Sequence, residues 1–331
     1  MIKKALVLAL TLLIALSVFS CTASPTAMKV ADRKVDASEY AYYLNYNHLN
    51  LSMKTSGTIL TADEMLARAH EVTQSQIADN ELMLRACEEL ELELSKELEE
   101  ELAIEKDEWI ESLGGLSGYL DYLNDNAMTD RLYDKLQKQS YYYSMLHDYL
   151  AEAEGSVILD DQGLRQFFSE NYIKVKYIRL STLDENGSLR SDAELNELHE
   201  QAKGILTQIR SGELDFDYAM ATYNDDPIMT ERPTGITVSS QDGLIREYIT
   251  DAFALQDGEI GGIYQYSDGY YILQRQAVDA NYYDENYEQI LLTAADWTFS
   301  NFIADAKAKT TITVSNVCKK INFENYKDYI K

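Results

Sequence analysis

Apolar positions in the first half of the chain recur at helical spacing. Asp36 can cap a helix, with Glu39 three residues on as reciprocal partner, and Tyr40, Tyr43 and Leu44 then share one face. Residues 55–60 read as a loop. Thr61-Ala62-Asp63-Glu64 is a second capping box, and it opens a helix to about Leu90 with Met65, Ala69 and Val72 inward. Leu90, Leu94, Leu98 and Leu102 recur every four residues, while Leu90, Leu92 and Leu94 alternate. That pattern places an extended link near 91–94, with Ser95 capping the next helix to about Ser112. Gly114-Gly115 interrupts it. A short segment with Tyr119, Leu120 and Leu123 follows, then a turn at 124–126. Thr129 caps a long helix to about Glu154, stopped at Gly155.

The period changes after a short helix capped by Asp160. Ile173 to Leu180 alternates β-branched or aromatic residues with charged ones, which reads as a half-buried strand. Asn186-Gly187 turns the chain. A helix from Asp192 ends at Gly212, a second runs from Phe216 to Tyr223, and 224–227 is a loop before a strand near 235–238. Next come a short helix over Leu244, Tyr248 and Phe253, a turn at 256–259, and two β-prone runs either side of Ser267-Asp268-Gly269. Asp-Gly between such runs signals a hairpin. The order β-α-α-β-α-β-β is a compact α+β unit. A last helix spans Tyr283 to about Lys307, then a β-prone run at 311–315. Cys318, Ile321 and Phe323 need a partner, which the N-terminal helices can supply. The chain therefore divides into a mainly helical domain over 30–171, an α+β unit over 172–279, and a C-terminal helix and tail over 280–331 that returns to the helical domain. On this reading the α+β unit is an insertion.

The N-terminus changes the picture. Lys3 and Lys4 precede an apolar run from Ala5 to Phe19, too short to span a membrane comfortably. Val18-Phe19-Ser20-Cys21 resembles a bacterial lipobox, which implies cleavage before Cys21 and its lipidation, with 21–29 as a tether. A plain signal peptide with an incidental Cys is the other reading. The formal net charge is −27, and it becomes −29 once a leader carrying two lysines and no acid is removed. So acidic a chain lacks the basic footprint that nucleic acid requires, and its charge serves either solubility or attraction to basic partners at short range. Cys87 and Cys318 remain, either as buried free thiols or as a bridge. The Glu-rich run at 88–108 lacks the turn-borne oxygen spacing of a calcium loop and reads as a solvated helix face. Tyr141, Tyr142, Tyr143 and Tyr149 suit either a recognition surface or a helix interface.

Several stretches carry a family resemblance: VADRKVDASEYAYYL, ILDDQGLRQFFSENYIKVKYIRLST, IRSGELDFDYAMATYNDDP, DAFALQDGEI and DGYYILQR. With the lipobox, they resemble extracytoplasmic foldases of the PrsA/SurA type. These pair a helical chaperone domain with a parvulin peptidyl-prolyl isomerase domain. Active parvulins usually place His in the first strand and again in the last. The matching residues here are Tyr177 and Tyr271, and Ile236 or Thr237 stands where an Asp or Cys is usual. The family's apolar substrate-proline pocket matches Leu244, Tyr248 and Phe253; Phe253 suits pocket and core equally. None of His48, His70, His147 and His199 falls in these motifs.

Rotation about an X–Pro bond, with a barrier of roughly 18–20 kcal/mol, needs no metal or cofactor. An apolar site that binds the twisted amide best lowers it. Tyr hydroxyls, which both donate and accept, can stand in weakly for the His pair. If they meet beside an open pocket, the site is rebuilt; if their rings fill it, the site is retired. The resemblance implies a membrane-anchored foldase acting on unfolded secreted polypeptides outside the membrane, without a cofactor, and with weak or lost isomerase activity. The alternative is a non-catalytic peptide- or partner-binding scaffold. No nucleophile elbow or HExxH motif supports a hydrolase.

Overall fold

The computed structural model describes residues 24–54, 61–152, 161–241, 247–266 and 268–330. The chain divides into two compact units, one of Met1–Asp148 with Asn301–Lys331 and one of Tyr149–Ser300. In order, the first part of the chain forms β1 Thr26–Val30, β2 Arg33–Asp36, α1 Ala37–Lys54, α2 Ala62–Glu89, α3 Lys96–Ser112, α4 Leu116–Asp125, α5 Asp130–Glu152 and α6 Asp161–Asn171. Then come β3 Tyr172–Ser181, α7 Asp192–Ser211, α8 Phe216–Tyr223, α9 Pro227–Glu231, β4 Ile236–Ser239, α10 Glu247–Phe253, β5 Ile260–Tyr266 and β6 Gly269–Gln276. The chain ends with α11 Tyr282–Glu285, α12 Tyr287–Ala308, β7 Ile312–Val314 and two single turns of 3-10 helix. The fold is α+β. Among the described residues no helix is long and apolar enough to cross a membrane.

The helical unit is built on a small antiparallel sheet of order β2-β1-β7. The sequence reading gives most of β1 to the tether. It misses the β1–β2 hairpin because the turn is Ala31-Asp32, without the Gly or Asn that usually marks one. Ala31 takes the left-handed conformation itself, at φ 54°. Met28, Val30 and Val35 from this sheet meet Tyr40 and Leu44 of α1, Ile77 and Leu82 of α2, and Cys318 and Ile321 near the C-terminus in one core. The C-terminal tail is fixed to α1, with Ser38 Oγ donating to the Tyr329 carbonyl at 2.7 Å.

The caps are largely those expected. Thr61 and Glu64 form the reciprocal box, Ser95 accepts from Leu98 N, and Thr129 Oγ1 accepts from Leu132 N at 3.1 Å. Asp36 accepts from Glu39 N at 3.0 Å, but Glu39 does not reciprocate. Its side chain instead turns inward to Lys135 Nζ at 2.6 Å, and Lys135 also bonds Glu81. The Asp160 cap and the Gly155 stop lie outside the described residues. The Glu-rich helix α3 buries no residue, as a solvated face should.

In the second unit the sheet order is β4-β3-β6-β5, antiparallel throughout. The central strand β3 corrects one expectation. It is buried along both faces, not half-buried. Its alternating charges misled because Lys174 and Lys176 lay their stems against the sheet and send their ammonium groups outward, to Asp279 and Asp217, each at 2.7 Å. The loop expected at 224–227 is also partly helix, since Asp226 caps α9 with Pro227 in its first turn.

The two remaining cysteines are free and buried. Burial pushes each thiol up to about 11. A chain beginning at Thr22 should therefore show no thiol reactive with Ellman's reagent at pH 8 while native, and two per chain in urea without reductant. A native disulfide would leave none in urea.

Candidate functional site

Strand register brings the two expected tyrosines together. Tyr177 pairs with Leu273 and Arg179 with Tyr271, so Tyr177, Arg179 and Tyr271 share one face, the two tyrosines diagonal across β3 and β6. The ring centroids lie 5.4 Å apart at 51°. Tyr177 is 0% and Tyr271 1% exposed, so both rings are core. Close approach of the strands here depends on Gly269, where a Cβ would come within 2.9 Å of the Leu180 carbonyl oxygen.

Each hydroxyl reaches a carboxylate. Tyr177 donates to Asp226 Oδ2 at 3.0 Å, and Tyr271 reaches Asp268 Oδ2 at 3.1 Å. Arg179 joins the two ends. Its Nη1 is 3.2 Å from Asp268 Oδ2 and 3.4 Å from Asp226 Oδ2, and its Nε donates to Asp225 Oδ1 at 2.8 Å. Asp226 is itself buried at 3% exposure, and its second oxygen accepts from Ile228 N at 2.9 Å. Asn224 Oδ1 accepts from Arg179 N, and the Asp225 carboxylate accepts from Ser181 N, which ties the 224–226 segment to the strand. Burial, reinforced by the Asp268 charge, pushes the Tyr271 hydroxyl up and keeps it a neutral donor. Burial opposes the Arg179 charge, but the Asp225 hydrogen bond and the Asp226 charge outweigh it and raise the guanidinium.

The expected apolar half is only partly described. Leu244 lies outside the described residues, and Tyr248 is described in backbone alone. Phe253 is half-buried and packs against the main core of this unit. Helix α10 is pinned beside it, because Tyr266 donates to Asp251 and Arg275 Nη1 donates to the Phe253 carbonyl at 3.2 Å. The Tyr266 ring also meets Tyr271 edge-on at 5.3 Å. Arg179, Asp225 and Asp226 are absent from the site that the sequence motifs mark. The signal was there in Asp226-Pro227, an N-cap followed by a first-turn proline. Asp268 reads in the sequence as a turn residue alone, although its carboxylate also holds Tyr271 and Arg179.

The chain is similar to PrsA foldases and to SurA-like chaperones. A peptidyl-prolyl isomerase PrsA from Bacillus anthracis shares 16% identity, covering 71% of this chain and 94% of that one, at a TM-score of 0.37. The foldase PrsA from Streptococcus pneumoniae shares 18% identity over 82% and 97% of the two chains, at 0.32. One of two SurA-like chaperones from Campylobacter jejuni shares 12% over 88% and 100%, at 0.29. No family model and no curated protein matches the chain.

Replacing Arg179 by Met should cost about 3 kcal/mol in urea unfolding followed by near-UV circular dichroism, because it strands the buried Asp226 carboxylate. Adding Asp226→Asn should recover part of that loss. A cost under about 1 kcal/mol for Arg179→Met would show that the network does not hold the unit together.

Proposed function

We propose that the chain is a lipid-anchored foldase that holds secreted polypeptides while they fold outside the membrane, and that its parvulin-like unit is a weak isomerase or none. The observation carrying this reading is the state of Tyr177 and Tyr271. Both rings are core, and both hydroxyls are committed to carboxylates. An efficient transition-state site adds to apolar walls polar groups that meet the twisted amide. Groups already bonded inward must first break those bonds, so Tyr177 and Tyr271 serve the fold in place of the chemistry. Any residual rate comes from the apolar wall that Leu244, Tyr248 and Phe253 are proposed to form, by removing the prolyl amide from water.

Anchoring is proposed at Cys21. Lipid on the thiol and on the new amino terminus would supply more than one chain, which stable anchoring requires. The strongly acidic mature chain supports attraction to basic clients rather than adhesion to anionic lipid.

Two measurements test this reading. In a prolyl-peptide assay, the purified protein should reach less than about one-hundredth of the rate of an active parvulin. Tyr177→Phe and Tyr271→Phe should leave that rate within about twofold. A rate near that of an active parvulin, lost on removing either hydroxyl, would overturn the retired-site reading. In a secreting bacterial host, Cys21→Ser should move the protein from the membrane to the soluble fraction; retention on the membrane would sink the anchor.

A further inference from the structure

The helical unit carries a groove that the isomerase resemblance does not use. It lies between α1, α2 and α5 and encloses about 390 Å3, within the span of about 300–1,000 Å3 common to ligand clefts. Tyr42 and Tyr46 stand on one wall with rings nearly parallel, 6.3 Å apart at 16°, and Tyr143 stands on the α5 side. Tyr46 is 47% and Tyr143 41% exposed, unusually open for rings of this size. The polar lining combines the carboxamides of Gln76, Asn80 and Gln139 with the hydroxyl groups of Ser140 and the tyrosines.

Each carboxamide has one end engaged inside the fold. Gln76 Oε1 accepts from Asn47 at 2.8 Å, Asn80 Nδ2 donates to the Tyr43 hydroxyl at 2.9 Å, and Gln139 Oε1 accepts from that hydroxyl at 3.3 Å. A carboxamide both donates and accepts, so its second end matches a peptide N–H or C=O. The lining holds no charged side chain, although 26% of the chain is charged and the net charge is −27. A neutral aromatic groove in an acidic protein discriminates by charge. An acidic segment is repelled within the screening length of about 8–10 Å, whereas Lys and Arg are drawn in and lie well over Tyr faces.

We propose that this groove binds an extended, apolar-to-basic segment of a non-native polypeptide, with Tyr42, Tyr46 and Tyr143 as stacking walls and the three carboxamides meeting its backbone. The proposal rests on the foldase reading and names the class of chain held and the place that holds it. Tyr has few side-chain torsions to freeze, which suits it to holding many different sequences in turn.

The test places the photoreactive residue p-benzoylphenylalanine at position 46, 143 or, as an exposed control in the other unit, 218 of the full mature chain. The probes are reduced, carboxamidomethylated lysozyme, which is basic, and α-lactalbumin treated likewise, which is acidic. Positions 46 and 143 should crosslink the basic probe at least about fivefold more than position 218, and Tyr46→Ser with Tyr143→Ser should weaken its binding about tenfold. The preference for the basic probe should shrink as salt rises. Equal crosslinking at all three positions, or unchanged binding by the double variant, would overturn the groove while leaving the foldase reading in place. A wild-type chain that binds neither unfolded probe would sink both. Stronger binding of the acidic probe at low salt would overturn the assigned client chemistry. Crosslinking decides the matter even if the double variant misfolds.

Discussion

One guanidinium sits among three carboxylates in the second unit, and the arrangement of its sheet follows from that. Arg179 reaches Asp225, Asp226 and Asp268. Without it, the buried Asp226 would lose the guanidinium beside it, and the cost of leaving a buried charge uncompensated is several kcal/mol. With it, Asp226 can cap α9 and accept the Tyr177 hydroxyl at once. Asp268, at the hairpin between β5 and β6, accepts from Tyr271. One cation therefore permits two tyrosine hydroxyls to be buried, and it ties the central strand to a loop and a hairpin that are far apart in sequence.

The helical unit solves a similar problem with less symmetry. Lys135 lies between Glu39 and Glu81, and Arg33 adds a second cation only to Glu81. Burial raises both carboxyls. At Glu81 the two cations outweigh it and hold the group below its ordinary value; at Glu39 burial wins and the group is raised. Glu81 ionises at a net gain and so supports the fold more as pH rises through its titration. Glu39 works in the opposite sense. Glu81 with its two cations ties β2, α2 and α5 together, and Glu39 brings α1 to the same lysine.

The parts of this architecture that were legible in the sequence depend on local chemistry. Thr61-x-x-Glu64, Ser95 and Gly212 act within a few residues of themselves, and the helix ends sit where those signals place them. The hidden parts depend on partners distant in the chain. Lys174 and Lys176 read as solvent-facing because charge alternation normally means one wet face; the acids that receive them, Asp279 and Asp217, are 105 and 41 residues away. The small sheet of the helical unit was hidden for the same reason, since β1 pairs with β7 across most of the chain. In the candidate site the tyrosines were legible by position, but the carboxylates that take their hydroxyls were not. A tyrosine at a strand position does not announce whether its hydroxyl faces a ligand or an acid.

That last distinction bears on what the unit can be used for. A hydroxyl in a catalytic site must remain able to change partners during the reaction, and a hydroxyl that satisfies a buried carboxylate cannot do so without leaving that carboxylate short of a donor. The two roles compete for the same group. Tyr177 donates to a carboxylate at 3% exposure, where the penalty for withdrawal is high; Tyr271 donates to the more exposed Asp268, where water can take its place. The proposed groove of the helical unit is built differently, because Tyr46 and Tyr143 are already exposed and each of its carboxamides has one hydrogen bond within the fold. Turning a prolyl bond at Tyr177 would withdraw a donor from a buried carboxylate, whereas holding a chain at the proposed groove would begin on rings that already meet water.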